Sequence, residues 1–225
     1  MTSPDSDVPA IRYAETSERL LALLRHDFGL PRHTRTVIAV AGESGSGKSV
    51  TAITLAAALT REGIGAAILH QDDYFIRAPR TNHEMREQDI TTVGPQEVQL
   101  DLIGRHIADF RAGAPFITGP AVNYAENRFD SRTIALGGCA VLVVEGTYAL
   151  QLDDVDVRVF LEATYADTTQ ARRARNRDID APFVTQVLQI EHEIVSRQRA
   201  RADVVITPDY RVTRRSSHTA PSSPG

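Results

Sequence analysis

The chain has 225 residues, a formal net charge of -4, 42% hydrophobic and 24% charged side chains. This suits one globular domain with a substantial core, and the near-neutral balance gives no reason to expect nucleic acid or an anionic membrane as partner. No apolar run approaches the ~20 residues that span a bilayer, and a single cysteine, Cys139, excludes an internal disulfide.

Met1 to Ala10 is polar, acidic and proline-containing, so residues 1–10 are expected to be disordered. The stretch lacks the basic-then-apolar order of a secretory leader, and a cytoplasmic protein is expected. Leu20, Leu21, Leu24 and Phe28 recur at helical spacing, which predicts a helix from Ile11 to Phe28 stopped by Gly29 and Pro31. Thr36 to Ala41 is a short apolar run of the kind buried on both faces of a parallel sheet. A helix is expected from Ser49 to Arg61 and a second strand from Ala66 to His70.

Phe75 to Pro95 is polar without clear periodicity and reads as an excursion over the substrate side. A helix over 97–110 follows, then an irregular stretch over 116–134. Strands are expected at 140–144, 157–161 and 202–206, an arginine-rich helix over 164–177 and an amphipathic helix over 182–201. The tail from Arg211 to Gly225 is rich in serine, proline and arginine and is expected to be disordered. Short buried strands alternating with helices predict an α/β fold, a parallel five-stranded sheet flanked by helices, in one domain over 11–210. Ligands bind such sheets beyond the carboxyl ends of the strands, so polar clusters that directly follow a strand are the candidate sites.

Gly42-Glu43-Ser44-Gly45-Ser46-Gly47-Lys48-Ser49 satisfies the pattern G-x-x-x-x-G-K-[ST] in full, with a strand before it and a helix, opening at Ser49 and Val50, after it. Glycines let the backbone curl so that several N–H groups and the positive helix end face one phosphate. Lys48 would reach the β- and γ-phosphates of ATP, and the Ser49 hydroxyl a Mg²⁺ ion. Lys48 is the only lysine among 25 lysines and arginines; the planar fork of arginine fits so tight a loop poorly.

Glu145 ends the strand AVLVV, where a carboxylate beside the P-loop strand can hold Mg²⁺. Asp72 and Asp73 follow the strand AAILH, where a carboxylate could accept the proton of an attacking hydroxyl and help hold the metal; spacing does not choose between them, and an Asp-Asp cap or turn is the plainer reading. Arg172, Arg173, Arg175 and Arg177 could close over a triphosphate, although helical spacing lets at most two or three meet one ligand. His70 reads as a packed core residue and His192 as structural.

Together GESGSGKS, HQDDYF, VVEGTYAL and ADTTQARRARNRD followed by ADVVI resemble uridine kinase and its relatives, including phosphoribulokinase, over most of residues 36–207. The resemblance implies a P-loop kinase fold with a substrate-side excursion and an arginine-rich lid at about 164–182. It implies Asp72 as catalytic base, Glu145 as the Mg²⁺-linked acid, Arg172, Arg173 and Arg177 as lid arginines, and Phe75 near the sugar. It also suggests that Thr207-Pro208-Asp209 flanks the adenine.

The chain departs from the family on the nucleoside side. Thr92-Val93-Gly94-Pro95 stands where an acidic residue precedes a proline, and Val122-Asn123-Tyr124-Ala125-Glu126-Asn127 replaces the pyrimidine-reading segment. Asp73, Tyr124, Asn127 and Arg128 are the expected acceptor contacts. The expected activity is transfer of the ATP γ-phosphate to a hydroxyl of a nucleoside or related small metabolite. The alternatives are a kinase for a sugar phosphate or pantothenate-like acceptor, and a nucleotide-dependent binding protein. The expected partner is a small molecule, with no nucleic acid and no membrane, and a homo-oligomer is left open.

Overall fold

The computed structural model describes residues 7–30, 35–168 and 182–215. One sheet organises them. Its strands are β1 (Thr36–Gly42), β2 (Gly65–His70), β5 (Cys139–Glu145), β6 (Val157–Leu161), β7 (Val204–Ile206) and β8 (Val212–Arg214), in the order β2-β5-β1-β6-β7-β8. The first five run parallel and β8 pairs antiparallel with β7. β3 (Phe116–Asn123) and β4 (Arg128–Ala135) form a separate antiparallel hairpin. The helices are α1 (Asp7–Phe28), α2 (Lys48–Arg61), α3 (Pro79–Gln88), α4 (Leu100–Ala112) and α5 (Pro182–Gln198).

β1 is buried along its whole length, so both of its faces must be covered. Its side chains alternate between two cores, as the two-residue strand period requires. Val37, Ala39 and Ala41 join Ile103, Ile107 and Phe110 of α4, Leu142 and Val144 of β5, and Val195 of α5. Ile38 and Val40 join Leu20, Leu21 and Leu24 of α1 with Leu55 and Leu59 of α2. The result is the three-layered architecture expected of a parallel sheet.

Four expectations change. The sheet has a sixth strand: Val212–Arg214 is ordered as β8, inside the tail expected to be disordered. Residues 7–10 belong to α1. The excursion contains α3, whose only buried residue is Asn82 and whose polar sequence hides it from any periodicity test. The stretch over 116–134 is a hairpin, with strands that show little clean alternation because β4 is largely exposed. Arg172, Arg173, Arg175 and Arg177, with residues 169–181 of the expected lid, lie outside the described residues.

Candidate active site

The P-loop leaves β1 at Gly42 and enters α2 at Lys48. Gly47 caps α2 with a φ of 97°, in the left-handed region that favours glycine. At Gly42 a Cβ would lie 2.8 Å from both the Leu161 carbonyl oxygen and Ser46 Oγ, so only glycine fits between the loop and β6. Lys48 Nζ donates to the Glu43 carbonyl at 2.9 Å. Glu43 is itself buried: its carboxylate accepts from the Tyr165 N–H at 2.7 Å and lies 2.6 Å from His192 Nδ1.

Glu145, at the carboxyl end of β5, is buried beside the P-loop. The Ser49 hydroxyl donates to its Oε1 at 3.1 Å, and His70 Nδ1 lies 2.8 Å from the same oxygen. That hydrogen bond raises the pKa of His70 against the cost of partial burial. His70 is therefore not the packed core residue expected: its side chain is 31% exposed and braces Glu145. Ser44, Gly45, Gly47, Lys48, Ser49, Val50, Asp72, Glu145 and Thr147 line one small cavity over the P-loop. A hydroxyl and two carboxylates are hard oxygen donors of the kind Mg²⁺ takes. Among the described residues no three acidic, histidine or cysteine side chains cluster as a cage, so phosphate oxygens would complete the coordination, as is usual for Mg²⁺.

β2 ends in a 3₁₀ turn, Gln71–Tyr74, and this turn separates the two aspartates. Gln71 is fixed by accepting from the Tyr148 N–H at 2.8 Å and by lying against Gly146, where a Cβ would come within 2.2 Å of it. Asp72 then faces outward into the P-loop cavity. Asp73 points the other way and is buried, accepting from the Val122 N–H at 2.8 Å and from Arg132 Nη2 at 2.7 Å. Expected among the acceptor contacts, it instead ties the β3–β4 hairpin to the sheet and lines neither the P-loop cavity nor the one beside it.

A second cavity, about 220 Å³, opens next to the first. Ser44, Asp72 and Thr147 border both. Its far walls are Phe75, Asn82 and Arg86 near α3, Tyr124 and Phe129 on the hairpin, and Glu191 of α5. Phe75 and Tyr124, both expected near the acceptor, are among its lining residues. Asn127 and Arg128 are not: Asn127 accepts from the Arg80 N–H at 2.8 Å and Arg128 pairs with Glu126 and Asp130 at the hairpin tip. With φ at 51°, Asn127 shapes that turn.

Asn82, Arg86 and Glu191 also line this cavity, and of these sequence reasoning missed Asn82 and Glu191. Glu97 binds Asn82 and Arg86 together: it accepts from Asn82 Nδ2 at 2.9 Å and takes Arg86 in a bidentate pair at 2.7 and 2.8 Å. Burial works against the Arg86 charge, but Glu97 and Glu191 outweigh it and hold the guanidinium above its ordinary pKa. The signal that could have found Glu191 is its place on α5. It stands four residues after Val187 and four before Val195, both buried, so a carboxylate occupies the inward row.

A third cavity lies on the other side of the P-loop, lined by Gly45 and Ser46 together with Tyr13, Thr16, Asp167, Thr207, Pro208 and Tyr210. The ring of Tyr13 crowds Gly47 and meets Tyr210 edge-on at 5.2 Å.

A glycine-rich loop between strand and helix, a lysine and serine at its end, an acidic strand terminus and a flanking substrate cavity define a P-loop nucleotide-binding kinase. The sequence model of the phosphoribulokinase/uridine kinase family matches residues 37–209, and the chain belongs to that family. It is a phosphotransferase with an alcohol group as acceptor. It is 31% identical over 189 residues to a bifunctional alpha-galactosidase/sucrose kinase of Mediterraneibacter gnavus, covering 78% of this chain but only 20% of that longer protein. It is 29% identical over 184 residues to the uridine kinase of Staphylococcus epidermidis, covering 76% of this chain and 86% of the other. A putative fructose transport system kinase from a Silicibacter species shares the fold, with a TM-score of 0.58 at 22% identity over 84% of this chain and 93% of the other. No helix among the described residues is long and apolar enough to cross a membrane.

Proposed function

We propose that the protein transfers the γ-phosphate of ATP to a hydroxyl of a small metabolite held between α3, the β3–β4 hairpin and α5. The observation that carries this reading is the position of Asp72, which borders both the P-loop cavity and its neighbour. A carboxylate at that seam can accept the proton of an acceptor hydroxyl while the hydroxyl oxygen attacks the γ-phosphorus. The bond from that phosphorus to the bridging oxygen breaks, and ADP leaves.

P-loop N–H groups and Lys48 would hold the phosphates, with the base in the cavity of Tyr13, Pro208 and Tyr210. Ser49 and Glu145, with Asp72 beside them, would hold Mg²⁺, which when bound neutralises charge on the β- and γ-phosphates. Arg172, Arg173 and Arg177 are assigned to closure over the triphosphate by family resemblance. Of the two curated relatives above, one is named for sucrose and the other for uridine, both uncharged hydroxylated acceptors. A nucleoside or sugar is accordingly the acceptor we favour.

The test is ADP release with ATP and Mg²⁺ across a panel of acceptors, wild type beside Asp72→Asn. Stimulation by one acceptor, lost in the variant while nucleotide still binds, supports the reading. Substantial transfer by the variant would remove Asp72 from the role of base.

A further inference from the structure

The far end of the acceptor cavity holds one hydrogen-bond acceptor without a partner among the described residues and a second that is only partly used. Glu97 is almost fully buried and takes four bonds, from Asn82 Nδ2, Arg86 Nε, Arg86 Nη2 and the Gly94 N–H. Because a carboxylate only accepts, it fixes the Asn82 amide: the nitrogen must face Glu97 and the oxygen must face away. That oxygen, Asn82 Oδ1, is buried and has no hydrogen-bond partner among the described residues. Asn82 lines the cavity. An orphaned buried acceptor is uncommon and costs stability unless a ligand or water donates to it.

Glu191 meets the same cavity from the opposite side. It is 13% exposed and shares Arg86 with Glu97, accepting only at Oε1 and at the longer distance of 3.2 Å. Its second oxygen has no hydrogen bond among the described residues. One guanidinium thus faces two carboxylates, and Glu97 takes its better geometry. The excess negative charge falls on Glu191, whose pKa is raised by burial and pulled back by Arg86 and Lys48. The hairpin wall adds Val122, Tyr124 and Phe129, while the amides of Asn123 and Asn127 and the guanidinium of Arg128 are engaged within the hairpin tip and with α3.

We propose that Glu191 and Asn82 Oδ1 accept hydrogen bonds from two hydroxyls of a neutral polyhydroxylated acceptor, so that the enzyme selects uncharged sugars or polyols over phosphorylated or carboxylate acceptors. This rests on the phosphotransfer reading above. A hydroxyl-rich molecule supplies donors to both groups while a third hydroxyl faces Asp72, and the aromatic rings cover its C–H face. An anionic acceptor would place its charge against Glu191 and Asp72. Arg77 lines the cavity, but among the described residues its cation is outnumbered there, because Arg86 is already committed.

The experiment measures ADP release with fructose, glucose, sucrose, ribose and uridine against fructose 6-phosphate, ribulose 5-phosphate, glycerate and pantothenate. Wild type, Glu191→Gln and Asn82→Leu are compared, with ATP binding followed by thermal shift. Neutral acceptors should drive turnover. Glu191→Gln should raise the acceptor KM roughly ten-fold or more, leave the KM for ATP unchanged and cost no thermal stability. Asn82→Leu should do the same to the acceptor KM if it folds, and the Gln variant decides if it does not. Turnover only with phosphorylated or carboxylate acceptors overturns this inference while leaving the kinase reading intact, as does a neutral acceptor whose KM ignores Glu191. No turnover with any acceptor, with ATP still bound, overturns the phosphotransfer reading of this cavity and the inference with it.

Discussion

At the scale of single residues, the site depends on which way neighbouring side chains face. Asp72 and Asp73 are adjacent, yet the 3₁₀ turn sends one into the cavity and the other beneath the hairpin. Asp72→Asn should lower kcat by roughly 10²- to 10⁴-fold, the usual contribution of a positioned base, with ATP affinity preserved. Asp73→Asn should instead raise the acceptor KM and lower thermal stability, because it weakens the Arg132 pair and the Val122 N–H bond that hold the hairpin. Steady-state kinetics on the two variants separates the roles; equal kcat losses at unchanged KM would refute the division. The P-loop was legible because its backbone geometry dictates residue types at fixed spacing. The division between Asp72 and Asp73 was not, since it depends on Gln71 being pinned by Tyr148, 77 positions away.

His106 shows a second residue-scale consequence. It is buried on α4, with Nδ1 2.9 Å from Tyr74 Oη, and burial lowers its pKa. In the unfolded chain histidine titrates near ~6.5, so the unfolded state takes up a proton first as pH falls. The stability contributed by neutral His106 is complete above that value and is lost as pH drops from it through the lower folded pKa. Urea midpoints at pH 7.5 and pH 5.5 should fall further for wild type than for His106→Asn. Equal falls would show that His106 takes up its proton at the same pH folded and unfolded.

At the scale of elements, α1 does two things. Leu20, Leu21 and Leu24 bury one face of the sheet, and the turn before them carries Tyr13 to the P-loop. Tyr13, Thr16 and Tyr210 all fall outside the span matched by the family, residues 37–209. Tyr210 sits at a φ of 65°, a conformation that costs a bulky residue about 1–3 kcal/mol and is kept only where the surroundings impose it. The Tyr13 edge contact and the stacked Arg12 are those surroundings. Tyr13→Ala should raise the KM for ATP roughly five-fold at nearly constant kcat, and Tyr13→Phe should restore it, as expected of an aromatic contact. A fall in melting temperature with KM unchanged would make Tyr13 a packing residue only. The helix itself was readable from its leucine spacing. α3 was not, because its one buried residue, Asn82, and the half-buried Arg86 are polar and bond to Glu97 rather than pack into a core.

At the scale of the whole molecule, Glu43 joins parts that are distant in sequence. It occupies a variable position of the P-loop pattern, so the motif gives no reason to notice it. Its carboxylate nevertheless meets the Tyr165 N–H and His192 Nδ1, while Thr168 Oγ1 donates to the neighbouring Ser44 carbonyl at 3.2 Å. Tyr165 and Thr168 open the expected lid ahead of its arginines, and His192 follows that arginine segment on the same helix as Glu191. The phosphate loop is thereby fastened to the chain on both sides of that segment. A buried carboxylate holding two elements is costly to replace, because Ala leaves both donors unpaired. Glu43→Ala should therefore raise the KM for ATP and lower kcat together, by roughly ten-fold or more if one charge-assisted bond is lost. Glu43→Gln should fall between Ala and wild type, since its amide oxygen can still accept the Tyr165 N–H. Circular dichroism should show the fold retained in both. A Glu43→Ala enzyme with wild-type kinetics would show that the P-loop holds its shape without the strap, and that the two flanks of the segment act independently of it.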